Sequence, residues 1–161
     1  MKSISSTRFI TRTGIVAAAY AAFTVAIAPL SYGPVQFRFS ELLLILIYFD
    51  RRYAPGLVLG CALANMYSPL GMVDVVVGTT ATVLALIGMI HTPNKAAATL
   101  WPALTNGIIV GLELYILEGY PLWMGISTVA FGEFVVVTCI GYPVYRVLIG
   151  REKLAEAIRI S

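Results

Sequence analysis

Long apolar stretches make up most of the chain, and short segments rich in glycine, proline and charged residues separate them. A membrane-crossing helix needs about 20 consecutive, mostly apolar residues, whereas the strands of a membrane β-barrel would alternate between apolar and polar positions. The continuous stretches predict an all-α, polytopic membrane protein with one transmembrane domain, a bundle of about six helices. We expect the spans at about 14–30, 39–49, 54–67, 72–90, 96–117 and 122–149, with a cytoplasmic tail at 150–161.

The second expected span, 39–49, is shorter than a complete crossing requires. It is either tilted or accompanied by a loop that dips into the protein, and the sequence does not decide between the two. Ahead of the first span, Arg8 and Arg12 resemble the charged region of a cleavable signal peptide. Because apolar spans continue to the far end of the chain, we interpret the first stretch as a retained helix.

Composition narrows the possible functions. Hydrophobic residues account for 59% of the 161 positions and charged residues for 12%, whereas soluble domains contain roughly 45–50% and about 25%. Cys61 and Cys139 lie within apolar stretches without a CxxC spacing, and His91 is the only histidine. This pattern favours packed free thiols over a zinc site or a disulfide. The chain has no P-loop, HExxH or GxSxG motif, so we expect neither catalysis nor a cofactor.

Lys and Arg are distributed asymmetrically across the expected spans. With six spans, ten of the eleven basic residues fall on one side of the membrane, and Arg38 alone falls on the other. The ten are Lys2, Arg8, Arg12, Arg51, Arg52, Lys95, Arg146, Arg151, Lys153 and Arg159. Because cytoplasmic loops carry the excess of Lys and Arg, both termini are predicted to be cytoplasmic. Their positions at span ends also argue against nucleic-acid binding, despite the net charge of +3.

Polar side chains interrupt the outer halves of the expected spans. They are Arg38, Glu41, Asn65, Asp74, Asn106, Glu113 and Glu133. A central charge in a spanning helix is unfavourable by roughly 2.5–3.5 kcal/mol on insertion scales, so such residues normally face inward and find partners. We therefore predict one polar pocket that opens outward and binds a ligand. Tyr32 and Tyr67 could form aromatic walls of this pocket or anchor the chain at the membrane interface.

Several of these residues also have a purely structural interpretation. Arg38 and Glu41 are three positions apart and could pair along one helix face. Asn65 and Asn106 could bind neighbouring helices. Asp74 could complement the dipole at a helix N-terminus. The sequence leaves these alternatives open.

The first expected span is rich in alanine at a four-residue spacing. Ala17 pairs with Ala21 in this way, and Ala18 pairs with Ala22. Small residues at this spacing let helix backbones approach closely in lipid. The pattern indicates either packing within the chain or a docking face for another membrane subunit.

Four segments of the sequence resemble the QueT family. They are Pro29–Glu41 (PLSYGPVQFRFSE), Gly60–Asp74 (GCALANMYSPLGMVD), Asn106–Glu113 (NGIIVGLE) and the pair Gly132-Glu133. The resemblance extends from the first span to about Arg146. Members of the family are substrate-binding S-components of energy-coupling factor (ECF) transporters. The resemblance implies a six-helix bundle of the ECF S-component type that imports a queuosine precursor, either queuine or an aminomethyl-deazaguanine base.

The resemblance also implies partners and moving parts. The loop after the first helix would act as a lid, which assigns that role to Tyr32, Gln36 and Phe37. The loaded subunit would dock on a transmembrane coupling subunit through the alanines of the first span, and two ATPase subunits would drive the cycle. A bacterial plasma membrane, with its lipids around the chain, is the expected location.

For a deazaguanine base, the resemblance implies a division of roles within the pocket. Carboxylates accept N–H donors with charge assistance, and amides both donate and accept. Glu113, Glu133 and Asp74 are expected to share the amine and the guanidine-like edge, Asn65 and Asn106 to read the carbonyl side, Arg38 with Glu41 to hold the lid, and tyrosines such as Tyr67 to cover the ring.

Other functions remain open on the sequence alone. The chain could be an S-component for another heterocyclic vitamin, which a panel of ligands would distinguish. It could be a proton-coupled carrier or an intramembrane enzyme that uses Glu113 and Glu133, in which case uptake would persist without ATPase partners. It could also be a structural membrane subunit that tolerates substitution of its buried polar residues.

Overall fold

The computed structural model describes residues 6–33 and 35–159, and within them every regular element is helical and no strand is present. Lys2, the side chain of Arg8 and the last two residues of the expected tail lie outside the described part. The α-helices are α1 (Ser6–Ala26), α2 (Ala28–Ser31), α3 (Ala54–Asn65), α4 (Met72–His91), α5 (Lys95–Ala98), α6 (Leu100–Glu118), α7 (Leu122–Glu133), α8 (Tyr142–Ile149) and α9 (Glu152–Ile158). Two 3-10 segments cover Phe39–Tyr48 and Arg51–Tyr53, and a π-helical segment covers Phe134–Gly141.

Four helical stretches of the described chain are long and apolar enough to cross a membrane. They are Phe9–Ala26, Met72–His91, Lys95–Glu118 and Leu122–Ile149. They correspond to the first, fourth, fifth and sixth expected spans, although α1 begins earlier than the expected start at residue 14. The other two expected spans form shorter helices, Phe39–Tyr48 and α3. The fold is therefore that of an all-helical, polytopic membrane protein with at least four helices of spanning length.

The short second span is a continuous 3-10 helix of ten residues, Phe39–Tyr48. A 3-10 helix rises about 2.0 Å per residue and an α-helix about 1.5 Å, so these residues extend about 20 Å rather than about 15 Å. Runs of 3-10 helix longer than about four residues are uncommon, because their hydrogen-bond geometry is poorer. Packing must therefore hold this one, and the segment contacts α1, α3, α4 and the π-helical segment.

The last apolar stretch also departs from α-helical geometry. The π-helical segment Phe134–Gly141 begins directly after Glu133, at the end of α7, and continues into α8. Pro143 lies in the first turn of α8, where its missing N–H removes one α-helical hydrogen bond. The break in α-helical pairing thus places Glu133 at a junction between two helix types.

The principal helices pack as a closed ring. Around the ring, α1 contacts α3, α3 contacts α4, α4 contacts α6, and α6 contacts α7. The π-helical segment then contacts Phe39–Tyr48, which returns to α1. A buried core that includes Tyr20, Leu44, Leu57 and Met89 fills one side of the ring interior, and a smaller cluster around Val110 lies between α4, α6 and α7.

Basic residues meet at one end of this ring. The Arg12 guanidinium donates to the Arg159 carbonyl at 2.8 Å, which joins α1 to the end of α9. The Tyr53 hydroxyl donates to the Ile158 carbonyl. Lys95 lies 5.0 Å from the centroid of the Tyr48 ring. The Arg51–Tyr53 turn, the start of α5 and the C-terminal helix therefore share an end, and Arg38 lies at the opposite end of the Phe39–Tyr48 helix.

Candidate functional site

Five charged side chains are buried together in the interior of the ring. Arg38 and Glu41 are 1% and 0% exposed, and Asp74, Glu113 and Glu133 are 3%, 5% and 2% exposed. Arg38 lies within electrostatic range of all four carboxylates. Glu133 is also within range of Glu41, and Glu113 is within range of Asp74. These five predicted site residues form what we call the charged cluster.

Four of the five members of the charged cluster sit at a helix end or junction. Arg38 precedes the 3-10 helix, and Glu41 lies in its first turn. Asp74 lies in the first turn of α4, after the turn at Gly71 with its positive φ of 60°. Glu113 is in the second half of α6, and Glu133 ends α7. Four separate segments of the chain thus supply the cluster.

Most polar atoms of the charged cluster have no hydrogen-bond partner among the described residues. All three guanidinium nitrogens of Arg38 lack one, as do both carboxylate oxygens of Glu113. Glu41, Asp74 and Glu133 each retain one such oxygen. A buried charge without partners is unfavourable by several kcal/mol or more, and proteins rarely retain one without a functional reason. The cluster therefore offers donors and acceptors suited to a polar, hydrogen-bonding solute.

Asn65 and Asn106 add two acceptors to this interior. Asn65 is 0% exposed, and its amide nitrogen donates to the Asp74 carbonyl at 3.1 Å. Asn106 is 1% exposed and donates to the Pro102 carbonyl at 3.1 Å. In both residues the amide oxygen has no partner. Asn106 also precedes Glu113 by seven residues, which places the two on the same face of α6.

A hydrogen-bond network that the sequence did not reveal holds Glu41. The Tyr20 hydroxyl donates to Glu41 Oε1, and the Thr82 hydroxyl donates to the same oxygen at 3.4 Å. Thr82 Oγ1 lies 3.3 Å from Cys61 Sγ, and the Asn65 amide nitrogen lies 3.5 Å from that sulfur. A usable sequence signal was the four-residue spacing of Asp74, Gly78 and Thr82 along α4.

The loop between α2 and the 3-10 helix is attached to α3 on one side and to α7 on the other. The Tyr32 hydroxyl donates to the Ala64 carbonyl at 2.6 Å, next to Asn65. Burial raises the pKa of Tyr32 to about 12, so the phenol remains a protonated donor at neutral pH. On the other side, the Phe37 ring meets the Phe131 ring edge to face at 6.2 Å.

Gly132 is the point at which this loop packs against α7. A methyl group at Gly132 would lie 2.8 Å from the Gln36 carbonyl carbon and closer still to its oxygen. Only glycine lets the loop backbone approach α7 this closely, beside Glu133. Gln36 itself is buried. Of the expected lid residues, Tyr32 therefore contacts α3, which carries Asn65, and Gln36 and Phe37 contact α7, which carries Glu133.

Two predicted site residues lie outside the charged cluster or at its edge. Tyr67 is 69% exposed in the turn that follows α3, so the structure does not bring it into the cluster. Glu113 belongs to the cluster but also lines an apolar groove of about 260 Å³ between α4 and α6, together with Val77 and Leu112. Another apolar groove, of about 390 Å³, lies between α1, α2 and the 3-10 helix and has no polar side chain in its lining.

The four alanines expected to form a docking face point in different directions. Ala17 is 2% exposed and packs against Gly60 of α3. Ala21 is half-buried against the core, whereas Ala18 and Ala22 are exposed. The Ala17–Ala21 pair therefore serves packing within the chain, and the Ala18–Ala22 pair lies on the outer face of α1.

Comparison with known proteins matches nearly the whole chain. The family model described as QueT transporter matches residues 10–149, a range that contains the charged cluster. A protein from Lactococcus lactis subsp. cremoris (strain MG1363), described as queuosine precursor transporter QueT, is 30% identical over 146 residues. The alignment covers 81% of this chain and 86% of that relative. No solved structure matches the chain. On the family model and this relative, the chain belongs to the QueT transporter family.

Proposed function

We propose that this protein is the substrate-binding subunit of an ATP-driven ECF uptake transporter, and that it imports a queuosine precursor. The observation that carries the proposal is the set of unpartnered polar atoms around the buried Arg38. The description of the Lactococcus lactis relative as a queuosine precursor transporter supports the substrate.

The free atoms of the cluster complement the edges of a deazaguanine base. Its ring N–H and amino groups are donors, which free carboxylate oxygens accept with charge assistance. Its carbonyl oxygen needs a donor. All three guanidinium nitrogens of Arg38 lack a partner, whereas the Asn65 amide nitrogen already donates to the Asp74 carbonyl and to Cys61 Sγ, and the Asn106 amide nitrogen donates to the Pro102 carbonyl and keeps one N–H. We therefore assign the carbonyl to Arg38 and propose that the two amide oxygens accept N–H groups, which revises the roles expected from the resemblance.

Charge balance favours a cationic form of the substrate. Four carboxylates surround the single guanidinium of Arg38, and burial strengthens electrostatic interactions among them. An aminomethyl group carries a positive charge at neutral pH and would offset part of the acidic excess. We propose that Glu113, Glu133 and Asp74 receive this amine and the guanidine-like edge.

The proposed assembly has six spans and cytoplasmic termini. The meeting of Arg12, Lys95 and Arg159 with the Arg51–Tyr53 turn at one end supports this orientation, because positive residues concentrate on the cytoplasmic side. A transmembrane coupling subunit would dock on the exposed Ala18–Ala22 face of α1, and two ATPase subunits would drive transport. The lid would be the loop that contains Tyr32, Gln36 and Phe37.

Isothermal titration of the purified protein tests the substrate. We expect queuine and the aminomethyl-deazaguanine base to bind, and an uncharged nitrile analogue of the same ring to bind at least about tenfold more weakly, a difference of about 1.4 kcal/mol. Equal affinities for the charged and uncharged bases would contradict the argument from charge balance. The proposed substrate would be wrong if the protein bound no deazaguanine and bound another heterocyclic vitamin instead.

An uptake assay in cells tests the transport class. Uptake of labelled base is expected to disappear when the ATPase subunits are deleted and to be insensitive to dissipation of the proton gradient. Uptake that persists without those subunits and follows external pH would instead support a proton-coupled carrier.

A further inference from the structure

We propose that Tyr20 and Thr82 are positioning residues for substrate binding, and that they act by fixing the carboxylate of Glu41. The inference rests on the proposed function, because it treats Glu41 as a ligand-binding group. Among the described hydrogen bonds, both residues contact the charged cluster only at one oxygen of Glu41.

Tyr20 approaches Glu41 from α1 and is 0% exposed. Its hydroxyl donates to Glu41 Oε1, and its Cβ packs against Gly60 of α3, where an added methyl would lie only 2.6 Å from it. The absence of a side chain at Gly60 therefore lets the Tyr20 ring lie against α3. One turn further along α1, Thr24 Oγ1 lies 2.6 Å from Ser40 Oγ, which adds a second link to the 3-10 helix.

Thr82 approaches the same oxygen from a different helix, α4. It is 0% exposed, and its hydroxyl lies 3.4 Å from Glu41 Oε1 and 3.3 Å from Cys61 Sγ. The contact with Glu41 is long for an O–H···O hydrogen bond, so it contributes less than the contact from Tyr20.

Two donors from two helices thus occupy Oε1 and leave Oε2 as the free oxygen of Glu41. A carboxylate held at one oxygen does not rotate freely, so the direction of the second oxygen is set before the ligand arrives. Fixing a binding group in advance improves affinity by reducing the entropy lost on binding. We infer that Tyr20 and Thr82 aim Glu41 Oε2 at a donor on the substrate.

Titration calorimetry on Tyr20→Phe tests the larger contribution. The substitution keeps the ring and removes the hydroxyl, and we expect the Kd for the aminomethyl-deazaguanine base to rise about tenfold, as for loss of a hydrogen bond to a charged group. Tyr53→Phe is the matched control, because Tyr53 is also a buried tyrosine that donates a hydrogen bond, but to the Ile158 carbonyl at the basic end. Its Kd should equal that of the wild type.

Thr82 supplies a second test that does not depend on the folding of the Tyr20 variant. Thr82→Val removes the hydroxyl with little change in shape, and a two- to threefold rise in Kd is expected from about half a kcal/mol. Thr82→Ser restores the hydroxyl and should restore the wild-type Kd, which a packing defect would not do.

A double-mutant cycle with Glu41→Gln tests whether Tyr20 affects binding through Glu41. If Tyr20 acts through Glu41, adding Tyr20→Phe to Glu41→Gln should weaken binding by less than twofold, against about tenfold in the wild-type background. An unchanged Kd in both Tyr20→Phe and Thr82→Val, or full additivity with Glu41→Gln, would overturn the inference while leaving the proposed function intact. Absence of binding by the wild type would overturn both.

Discussion

Two neighbouring helix pairs in this protein differ in how they pack and in their helical geometry. The α6–α7 pair is joined by close backbone contacts, because an added methyl at Gly111 would lie 2.7 Å from the Ile126 backbone and one at Gly107 would lie 2.8 Å from Ala130 Cβ. The pair formed by the 3-10 helix and the π-helical segment has irregular geometry, and Arg38, Glu41 and Glu133 lie at its start.

The two helix pairs contribute differently to stability and to the charged cluster. Small residues in a seam let helices pack closely, and such contacts are a main source of stability in lipid. Unpartnered buried charges oppose stability, and irregular helical geometry is often found at functional sites. We conclude that the small-residue seam between α6 and α7 stabilises the bundle and supports the Asn106 and Glu113 side chains that α6 contributes, whereas the irregular pair is less regularly packed and has Arg38, Glu41 and Glu133 at its start.

The largest expected effect is on the irregular pair, in Arg38→Met. Removing the guanidinium should weaken substrate binding by about 100-fold or more, since each hydrogen bond from a charged donor contributes about 1.5–3 kcal/mol. The melting temperature of the ligand-free protein should also fall, because removal of the guanidinium leaves the buried carboxylates around it without a compensating positive charge. Calorimetry and thermal melting in detergent measure the two quantities. Arg151→Met, at an exposed site, should leave both unchanged. An unchanged affinity in the folded Arg38→Met protein would show that Arg38 does not bind the substrate.

Gly111→Ala, in the regular pair, should lower stability without lowering affinity. The added methyl meets the Ile126 backbone, and overpacking of this kind destabilises by about 1–3 kcal/mol. The melting temperature should fall, while the affinity of the folded protein stays within about twofold of the wild type. Gly14→Ala is the control, because an added methyl there has nothing within 4 Å and alanine favours the helix. Equal melting temperatures for the two variants would contradict the role of the seam.

Carboxylates inside and outside the charged cluster should respond differently to neutralisation. Glu133→Gln and Glu113→Gln remove one charge each from the cluster and are expected to weaken binding of an aminomethyl-deazaguanine base by about tenfold. Glu156→Gln, at an exposed position in α9, should have no effect. If affinity is unchanged in the first two variants, these residues do not belong to the site.

The smallest effect is expected at the loop attachment, in Tyr32→Phe. Loss of the hydrogen bond to the Ala64 carbonyl removes one of the contacts that attach the proposed lid to α3. We expect the dissociation rate of the ligand to rise about two- to fivefold, from about 0.5–1 kcal/mol, with a smaller change in the association rate. Stopped-flow kinetics measure both rates. A change confined to association would argue against a lid that retains the ligand.

The sequence predicted the composition of the charged cluster better than the geometry that forms it. Arg38, Glu41 and Glu133 stand out because burying a charge in an apolar span is unfavourable wherever the helix lies. Nothing local specifies a ten-residue 3-10 helix or the π-helical segment, because both geometries depend on packing against neighbours. Tyr20 and Thr82 escaped notice because tyrosine and threonine are ordinary residues in apolar helices.

The alanines of α1 show a further limit of sequence patterns. Neighbouring pairs at a four-residue spacing, such as Ala17–Ala21 and Ala18–Ala22, differ by only about 100° around the helix. An alanine-rich stretch therefore does not define which face packs inside the chain. The position of Gly60, against which Ala17 packs, decides it.

A structure determined with a bound aminomethyl-deazaguanine base tests the proposed site most directly. We predict that the base lies beneath the Tyr32–Phe37 loop, with its carbonyl oxygen about 2.7–3.2 Å from the Arg38 guanidinium and a ring or amino nitrogen equally close to Glu41 Oε2. A base bound elsewhere, with Arg38 paired to a protein carboxylate in the loaded state, would contradict the prediction.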